Sequence, residues 1–400
     1  MIRLYLLLTV ILLSCSSYEP ESKNGNLSIW VSYNDEEFKV FMEIVKKFES
    51  ENNLKIEVQR IPFQGQEQKI LTACAAHTTP DIARVDVAFV ARLALRNAVI
   101  PLNIDDIKDK IVPAALKSNI INEKIYGIPD QTNCLCLFYN KDLFKQAGLN
   151  PNKPPKTWDE FIQYGKKLTN PAKQIYGFAM RSSLWWTFPF FNTFGAKFIV
   201  DGKCALDSPE GGAALQLKVD LYRKYKIEAG AWQSGAIDND VGFQNGKYAM
   251  VFSGPWRVKT LESIGINFGV ALIPAGPKGT STTIGGTNMV IFRGSKHKDL
   301  ALDFLKFLVN RENQAKWGNE LGQIPVNIEA FADIDTVKYP FLKVFMEQMK
   351  TAIPRPMIPD YQMVENTVNP EIEAALRGTK TVKEALKAIV AKVNRILEEE

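Results

Sequence analysis

From residue 27 onward the chain alternates short apolar runs with longer stretches of helical spacing. Leu27-Ser28-Ile29-Trp30-Val31 predicts a strand, and Phe38, Phe41, Met42, Val45 and Phe48 then fall on one helical face. Lys55 to Ile61 alternates with a period of two, Glu67 to His77 predicts a helix, and Asp81 to Val85 predicts the next strand. Strands separated by helices imply a parallel sheet covered on both faces, with ligands held beyond the carboxyl ends of the strands. A second α/β region follows. Thr157-Trp158-Asp159-Glu160 predicts a capping box that opens a helix through Leu168, and Ser208-Pro209 opens another running through Tyr225. Lys247 to Phe252 predicts a strand ending at Ser253-Gly254-Pro255-Trp256, and Ile266 to Ile273 and Thr287 to Phe292 predict two more. The tail reads as helices over Leu300 to Val309, Phe341 to Met349 and Val382 to Leu397. The fold class is α/β, with about two domains and no internal repeat.

The first residues carry a different pattern. Met1-Ile2-Arg3 places one positive charge before an apolar run from Leu4 to Leu13, and Leu12-Leu13-Ser14-Cys15 closes it. This resembles a bacterial lipoprotein signal: residues 1–14 are cut away and Cys15 takes up diacylglycerol, anchoring the protein to a membrane outside the cytoplasm. A run of about ten apolar residues is too short to span a bilayer, which needs about 20. An ordinary secretory signal with a chance cysteine competes with this reading. Residues 15–26 read as a flexible tether rich in Ser, Glu, Pro and Asn.

Composition narrows the classes further. A chain that is 46% hydrophobic and 23% charged can bury full cores, and its net charge of +5 is spread along the chain, so no nucleic-acid footprint is indicated. Besides Cys15 there are Cys74, Cys134, Cys136 and Cys204. Cys134 and Cys136 stand two apart in an apolar run and so share one strand face, where they read as small buried hydrophobes. A metal site would want further ligands, and the chain has only His77 and His297. No metal or cofactor is expected. The same shortage of histidine argues against a Ser/His/Asp catalyst, and the Gly276 to Ser281 stretch fails the spacing of a phosphate loop.

Five segments occur in the order of a known family. They are Leu27-Ser28-Ile29-Trp30; Thr79-Pro80-Asp81-Ile82 with Asp86 after it; Tyr126-Gly127-Ile128-Pro129 leading to Phe138-Tyr139-Asn140-Lys141-Asp142-Leu143; Pro154 to Phe161; and Gly246-Lys247-Tyr248-Ala249-Met250 through Gly254-Pro255-Trp256. Leu376-Arg377-Gly378 and Thr381 to Leu386 match the family's last helical segment. Together they resemble the bacterial extracellular solute-binding proteins that feed ABC sugar importers, the maltose-binding-protein type. The resemblance implies two lobes that close over a ligand in a cleft. It implies chain crossings near 131–136, 284–290 and 331–336, with residues 27–131 and 286–333 in one lobe and 132–285 and 334–400 in the other. It also implies a monomer that captures a mono- or oligosaccharide and delivers it to the permease subunits of an ABC transporter, without catalysis.

A sugar offers C–H faces to aromatic rings and a rim of hydroxyls that donate and accept, so its site needs flat aromatics beside amides, carboxylates and guanidinium groups. Trp256, fixed by Pro255 at a strand end, matches a family position that packs on sugar. By the same likeness Trp185 points into the cleft and Trp186 into the core, although the order could be reversed. Trp232 reads as core or surface, and Trp158 and Trp317 as packing residues on helices. The polar candidates are Asp86, a ligand contact or a helix cap; Asn133, where relatives carry an acid; and Ser32, Asn34 and Glu36 after the first strand. Arg84 lies within its strand, where a salt bridge competes with ligand contact. Gly286, Thr287 and Asn288 lie at a predicted crossing, where many relatives have an aromatic. Arg355, Tyr361 and Gln362 match another family contact, against the alternative of a Pro-bounded surface loop. A non-sugar solute such as a polyamine, glycerol phosphate or an oxyanion is the alternative within the class; an anion would use Arg84, Arg181, Arg257 and Arg355. A surface glycan hydrolase is the alternative from another class, and an adhesin is more distant.

Overall fold

A computed structural model describes residues 27–398 except Met357 and Pro359, so the predicted leader, Cys15 and the whole tether lie outside the described residues. The strands in chain order are β1 (Leu27–Val31), β2 (Ile56–Arg60), β3 (Ile82–Asp86), β4 (Ile120–Ile121), β5 (Lys124–Ile125), β6 (Ile128–Cys134), β7 (Cys136–Asn140), β8 (Ile199–Val200), β9 (Lys203–Cys204), β10 (Met250–Ser253), β11 (Phe268–Ala271), β12 (Thr282–Ile291) and β13 (Ala352–Ile353). Two sheets matter for the site. The larger is six-stranded in the order β13-β12-β3-β1-β2, with β6 also paired to β12. The smaller is three-stranded, β10-β7-β11. The opening β1, β2 and β3 are parallel, as their spacing implies, whereas β12 runs antiparallel to β3 and β6. The small sheet is antiparallel throughout.

Period-two alternation puts a core on each face of both sheets. In β12, Met289 and Ile291 join one apolar layer with Leu27, Ile29 and Val31, while Val290, and Phe292 just past the strand, join the opposite layer with Ala83 and Val85. In the small sheet, Leu137 and Tyr139 face one core while Cys136 and Phe138 face the other. Cys134 and Cys136 thus lie buried on one face, and Cys134, Cys136, Cys204 and the half-buried Cys74 are all free thiols.

Helices seal these layers. Asp35–Asn52 buries Phe41 and Phe48 edge-on against Phe304, and fully burying such a ring is worth about 1.5–3 kcal/mol. Over the small sheet lie Trp158–Leu168, Leu184–Phe194, Pro209–Arg223, Tyr361–Arg377 and Val382–Glu398 on one side, with Pro340–Met349 on the other. Three further helices present here are not among those the sequence predicts. Leu184–Phe194 and Tyr361–Arg377 contain Pro189 and Pro370. Arg311–Leu321 buries polar side chains: Asn313 donates to the Phe307 carbonyl at 2.7 Å, and Gln314 accepts from the Val326 amide at 2.8 Å. The predicted capping box at Thr157 is half present: its hydroxyl accepts from the Glu160 amide, but the Glu160 carboxylate turns to the Lys156 amide.

The chain passes from the large to the small sheet at Leu135 and returns between Ala271 and Thr282; beyond Asp333 the helix Pro340–Met349 packs on the small sheet, while β13 pairs with β12 of the large one. β12 joins the large sheet from Thr282, ahead of the expected Thr287, and β6 stays in it through Cys134.

Candidate functional site

A cavity of about 830 Å³ opens between the two halves. The large-sheet side brings Arg84, Asp86 and Gln131 to it from β3 and β6, Ser32 and Asn34 from the turn after β1, Glu37, Glu67 and Arg92 from helices, and Phe63 from a loop. The small-sheet side brings Ser183, Trp185, Trp186, Trp256, Tyr361, Gln362 and Glu365. Asn133, Gly285, Gly286 and Thr287 line it from the paired crossing strands β6 and β12, and Arg355 from the segment after β13.

The aromatic wall consists of three indoles. Trp185 and Trp186 stand edge to face, with centroids 5.0 Å apart, and Trp256 lies 6.1 Å from Trp185 at an interplanar angle of 37°. Trp256 sits in the 3₁₀ turn Pro255–Arg257 directly after β10. Gly254 allows this: a Cβ there would overlap the Trp256 ring. Both Trp185 and Trp186 face the cavity, so Trp186 is not the core residue expected. Trp158 and Trp317 are core, with Nε1 donating at 3.1 Å to Thr193 and to Gln323 respectively. Trp232 packs on Tyr222 away from the cavity.

The opposite wall is a buried polar network. Arg84 Nε donates to Asp130 at 2.8 Å, Nη1 to the Ser32 carbonyl and hydroxyl at 3.2 and 3.3 Å, and Nη2 to Gln131. Gln131 in turn donates to Glu37 and Gln323, Gln323 donates to Glu37 at 2.7 Å, and the Tyr33 hydroxyl donates to Asp130 at 2.8 Å. Burial works against the Arg84 charge, but Asp130, Tyr33 and Glu37 outweigh it and raise its pKa. The salt bridge is thus present at Arg84.

Two ion pairs tie the halves together at the cavity. Asp86, at the end of β3, accepts from Arg355 at 2.7 Å and from the Ala88 amide at 2.8 Å. Arg92 pairs with Asp360, the cap of the helix Tyr361–Arg377, at 3.2 Å. Near them burial lifts the carboxyl of Glu67 to about 7, with Asp86 adding to the shift and Arg92 and Arg355 opposing it. Burial also raises Glu365, against Arg355, and raises the Tyr361 hydroxyl with help from Glu365.

Several buried polar atoms on cavity-lining residues have no protein partner: Trp185 Nε1, Asn133 Oδ1, Thr287 Oγ1 and Arg355 Nε. They form a mixed set of donors and acceptors. Leaving such groups unmatched costs about 1–3 kcal/mol each, so they favour a guest that supplies the missing bonds. β12 is shaped to expose them. Gly286 has φ +132°, and a Cβ on it would strike the Gln131 carbonyl; a Cβ on Gly285 would lie 2.7 Å from the Trp185 ring.

Two predicted positions lie elsewhere. Glu36 points to solvent and pairs with Lys39 at 3.1 Å, because the next helical position, Glu37, takes the inward direction and closes a capping box with Asn34. Asn288 is fully buried and accepts from Asn119 at 2.7 Å, since strand alternation sends it away from the face that Thr287 occupies. Sequence reasoning missed Glu37, which the Asn34-Asp35-Glu36-Glu37 box signals, and missed Glu67, Arg92, Gln131 and Glu365, which packing alone brings together.

Of the residues in hand, none of the described His, Cys, Asp and Glu cluster as a metal site would require. No helix among the described residues is long and apolar enough to cross a membrane.

Comparison with known proteins gives the same architecture. The chain is 26% identical over 386 residues to the galactooligosaccharide-binding protein of Bacillus subtilis, covering 93% of this chain and 89% of that one. It superposes on an ABC transporter solute-binding protein of Thermotoga lettingae bound with α-D-tagatose (TM-score 0.85, 29% identity, 93% and 99% covered). It also superposes on the cyclic α-maltosyl-1,6-maltose-binding protein of Arthrobacter globiformis (TM-score 0.83, 27% identity, 94% and 99% covered). These are two-lobe binding proteins, not enzymes. The family profile described as bacterial extracellular solute-binding protein matches residues 43–344, and the chain belongs to that family.

Proposed function

We propose that this protein captures a neutral carbohydrate, a mono- or oligosaccharide, and presents it to the permease of an ABC importer. The observation that carries this reading is the pairing of three indoles with unpartnered donors and acceptors around one cavity of about 830 Å³. Indole faces suit sugar C–H faces, and the open polar atoms suit hydroxyls that both donate and accept. An anionic guest fits poorly. Arg84, Arg181, Arg257 and Arg355 each already face a carboxylate: Asp130, Asp238 with Asp240, Asp240, and Asp86.

The ligand touches both lobes and so favours the closed state; open and closed forms need differ by only a few kcal/mol. The predicted contacts are Trp185, Trp256, Asn133, Thr287, Arg355 and Tyr361, with Ser32, Asn34, Asp86 and Gly286 at the margins; Trp186 joins them. Residues 27–134 and 282–333 make one lobe in this reading, and 136–271 with 340–398 the other. The protein acts as a monomer held to the membrane through Cys15, which mass spectrometry of the membrane fraction checks: a diacylated Cys15 peptide is expected, and an unmodified one contradicts the anchor.

A thermal-shift screen tests the ligand class. Maltose, maltotriose, mannotriose, galactobiose and tagatose are set against glucose 6-phosphate and glycerol 3-phosphate. At a Kd of about 1 μM, 1 mM sugar stabilises by about 4.1 kcal/mol, a rise of several degrees. At least one neutral sugar is expected to give that rise and no phosphorylated one. The reverse pattern contradicts the reading.

A further inference from the structure

Behind the aromatic wall lies a set of charges that touches no part of the cavity. Trp185 and Trp186 open the helix Leu184–Phe194, whereas Trp256 belongs to the turn Pro255–Arg257, so their mutual angle is a tertiary property. Asp240, in the helix Asn239–Gln244, faces both segments. Its Oδ2 accepts from Arg181 Nη2 at 3.2 Å, and its Oδ1 lies 3.6 Å from Arg257 Nε. Arg181 stands over the Trp186 ring, 5.1 Å from the centroid, and Arg257 directly follows Trp256. Asp238 adds a second carboxylate at 3.1 Å from Arg181 Nη1, and its own position is fixed because it caps the same helix through the Asp240 and Val241 amides. The buried Lys218 donates to the Arg181 carbonyl at 2.9 Å and to the Thr187 hydroxyl at 2.5 Å, residues that flank the indole pair in the sequence. The chain is thus clamped on both sides of Trp185-Trp186.

Arg181, Asp238 and Asp240 are part-exposed, with side chains 32%, 48% and 29% accessible, so these pairs add little to global stability. Their geometry matters more. A binding site works only when its groups are held within about 0.5 Å and 10–20° of the productive arrangement by supporting contacts. We propose that Asp240 is a positioning residue for the ligand wall: by holding Arg181 and facing Arg257 it sets the orientation of Trp256 relative to Trp185 and Trp186. This rests on the sugar-binding reading of the cavity for its consequence, but not for its structural part.

The test separates the two. Coupled indoles at these separations give an exciton couplet in the far-ultraviolet circular dichroism, and Trp186→Phe in the apo protein identifies the part that comes from this cluster. Asp240→Asn is expected to change that couplet, leave the thermal midpoint nearly unmoved, and weaken maltotriose binding by about tenfold in calorimetry; Asp240→Glu is expected to restore most of both. An unchanged couplet overturns the proposal, as does a changed couplet with unaltered maltotriose affinity. A couplet lost together with a large fall in the midpoint marks a stability role and overturns it too. If the unsubstituted protein ignores maltotriose and every other neutral sugar of the screen while the couplet shifts in Asp240→Asn, the positioning role stands and the sugar reading is what fails.

Discussion

The two walls of the cavity solve different problems. On the large-sheet side every nitrogen of the Arg84 guanidinium is engaged, and the bonds run on through Gln131 to Glu37, Gln323 and Trp317. That wall is largely bonded within the protein before any guest arrives, although Asp130 Oδ1 has no partner. On the small-sheet side the indoles pack on one another and on the apolar core behind them, and Trp185 Nε1 is left without a protein partner. That wall offers area and open valences. Stability is therefore concentrated in the first wall and affinity in the second, and substitutions should separate them.

The largest effect is expected at Arg84. Replacing it with Met leaves Asp130 buried without its cation, which should cost about 3–5 kcal/mol in chemical denaturation. A cost under about 1 kcal/mol would show that the network is not what holds this wall. Trp256→Ala comes next and inverts the pattern: sugar affinity should fall by about 2 kcal/mol, roughly 30-fold, while the apo thermal midpoint stays nearly intact. Equal losses of affinity and stability there would erase the distinction between the walls. A smaller effect concerns pH. Glu67, with its folded pKa near 7, holds a proton that the unfolded chain gives up at the ordinary carboxylate value of about 4.3. Its contribution is therefore complete below that value and is lost as pH rises through about 7. Glu67→Gln should flatten that part of a plot of thermal midpoint against pH, and an unaltered slope would assign the titration to another group. Least of all, Glu36→Gln should leave affinity within a factor of two, because its side chain faces solvent.

The same contrast explains what could be read from sequence. Periodicity exposed β1 to β3 and the apolar face of Asp35–Asn52, because burial there follows the local period. Trp256 was legible as a candidate because a Gly-Pro-Trp turn closes a strand. Choices one residue apart were not: Glu36 against Glu37 turns on a 100° helical step, and Thr287 against Asn288 on strand alternation past a bulge. Trp186, Glu67, Arg92 and Glu365 reach the cavity only because separate helices converge on it. For Tyr361 a Pro-bounded loop stood open beside the family contact, since Pro356 and Pro359 precede its helix in the sequence.

The most direct measurement is a crystal structure with the sugar that gives the largest thermal shift. The account predicts a ring lying on the Trp185 and Trp256 faces, its hydroxyls bonded to Asn133, Thr287 and Tyr361, with both lobes in contact. A sugar bound elsewhere on the surface, or one in the cavity that leaves those indoles untouched, would contradict it.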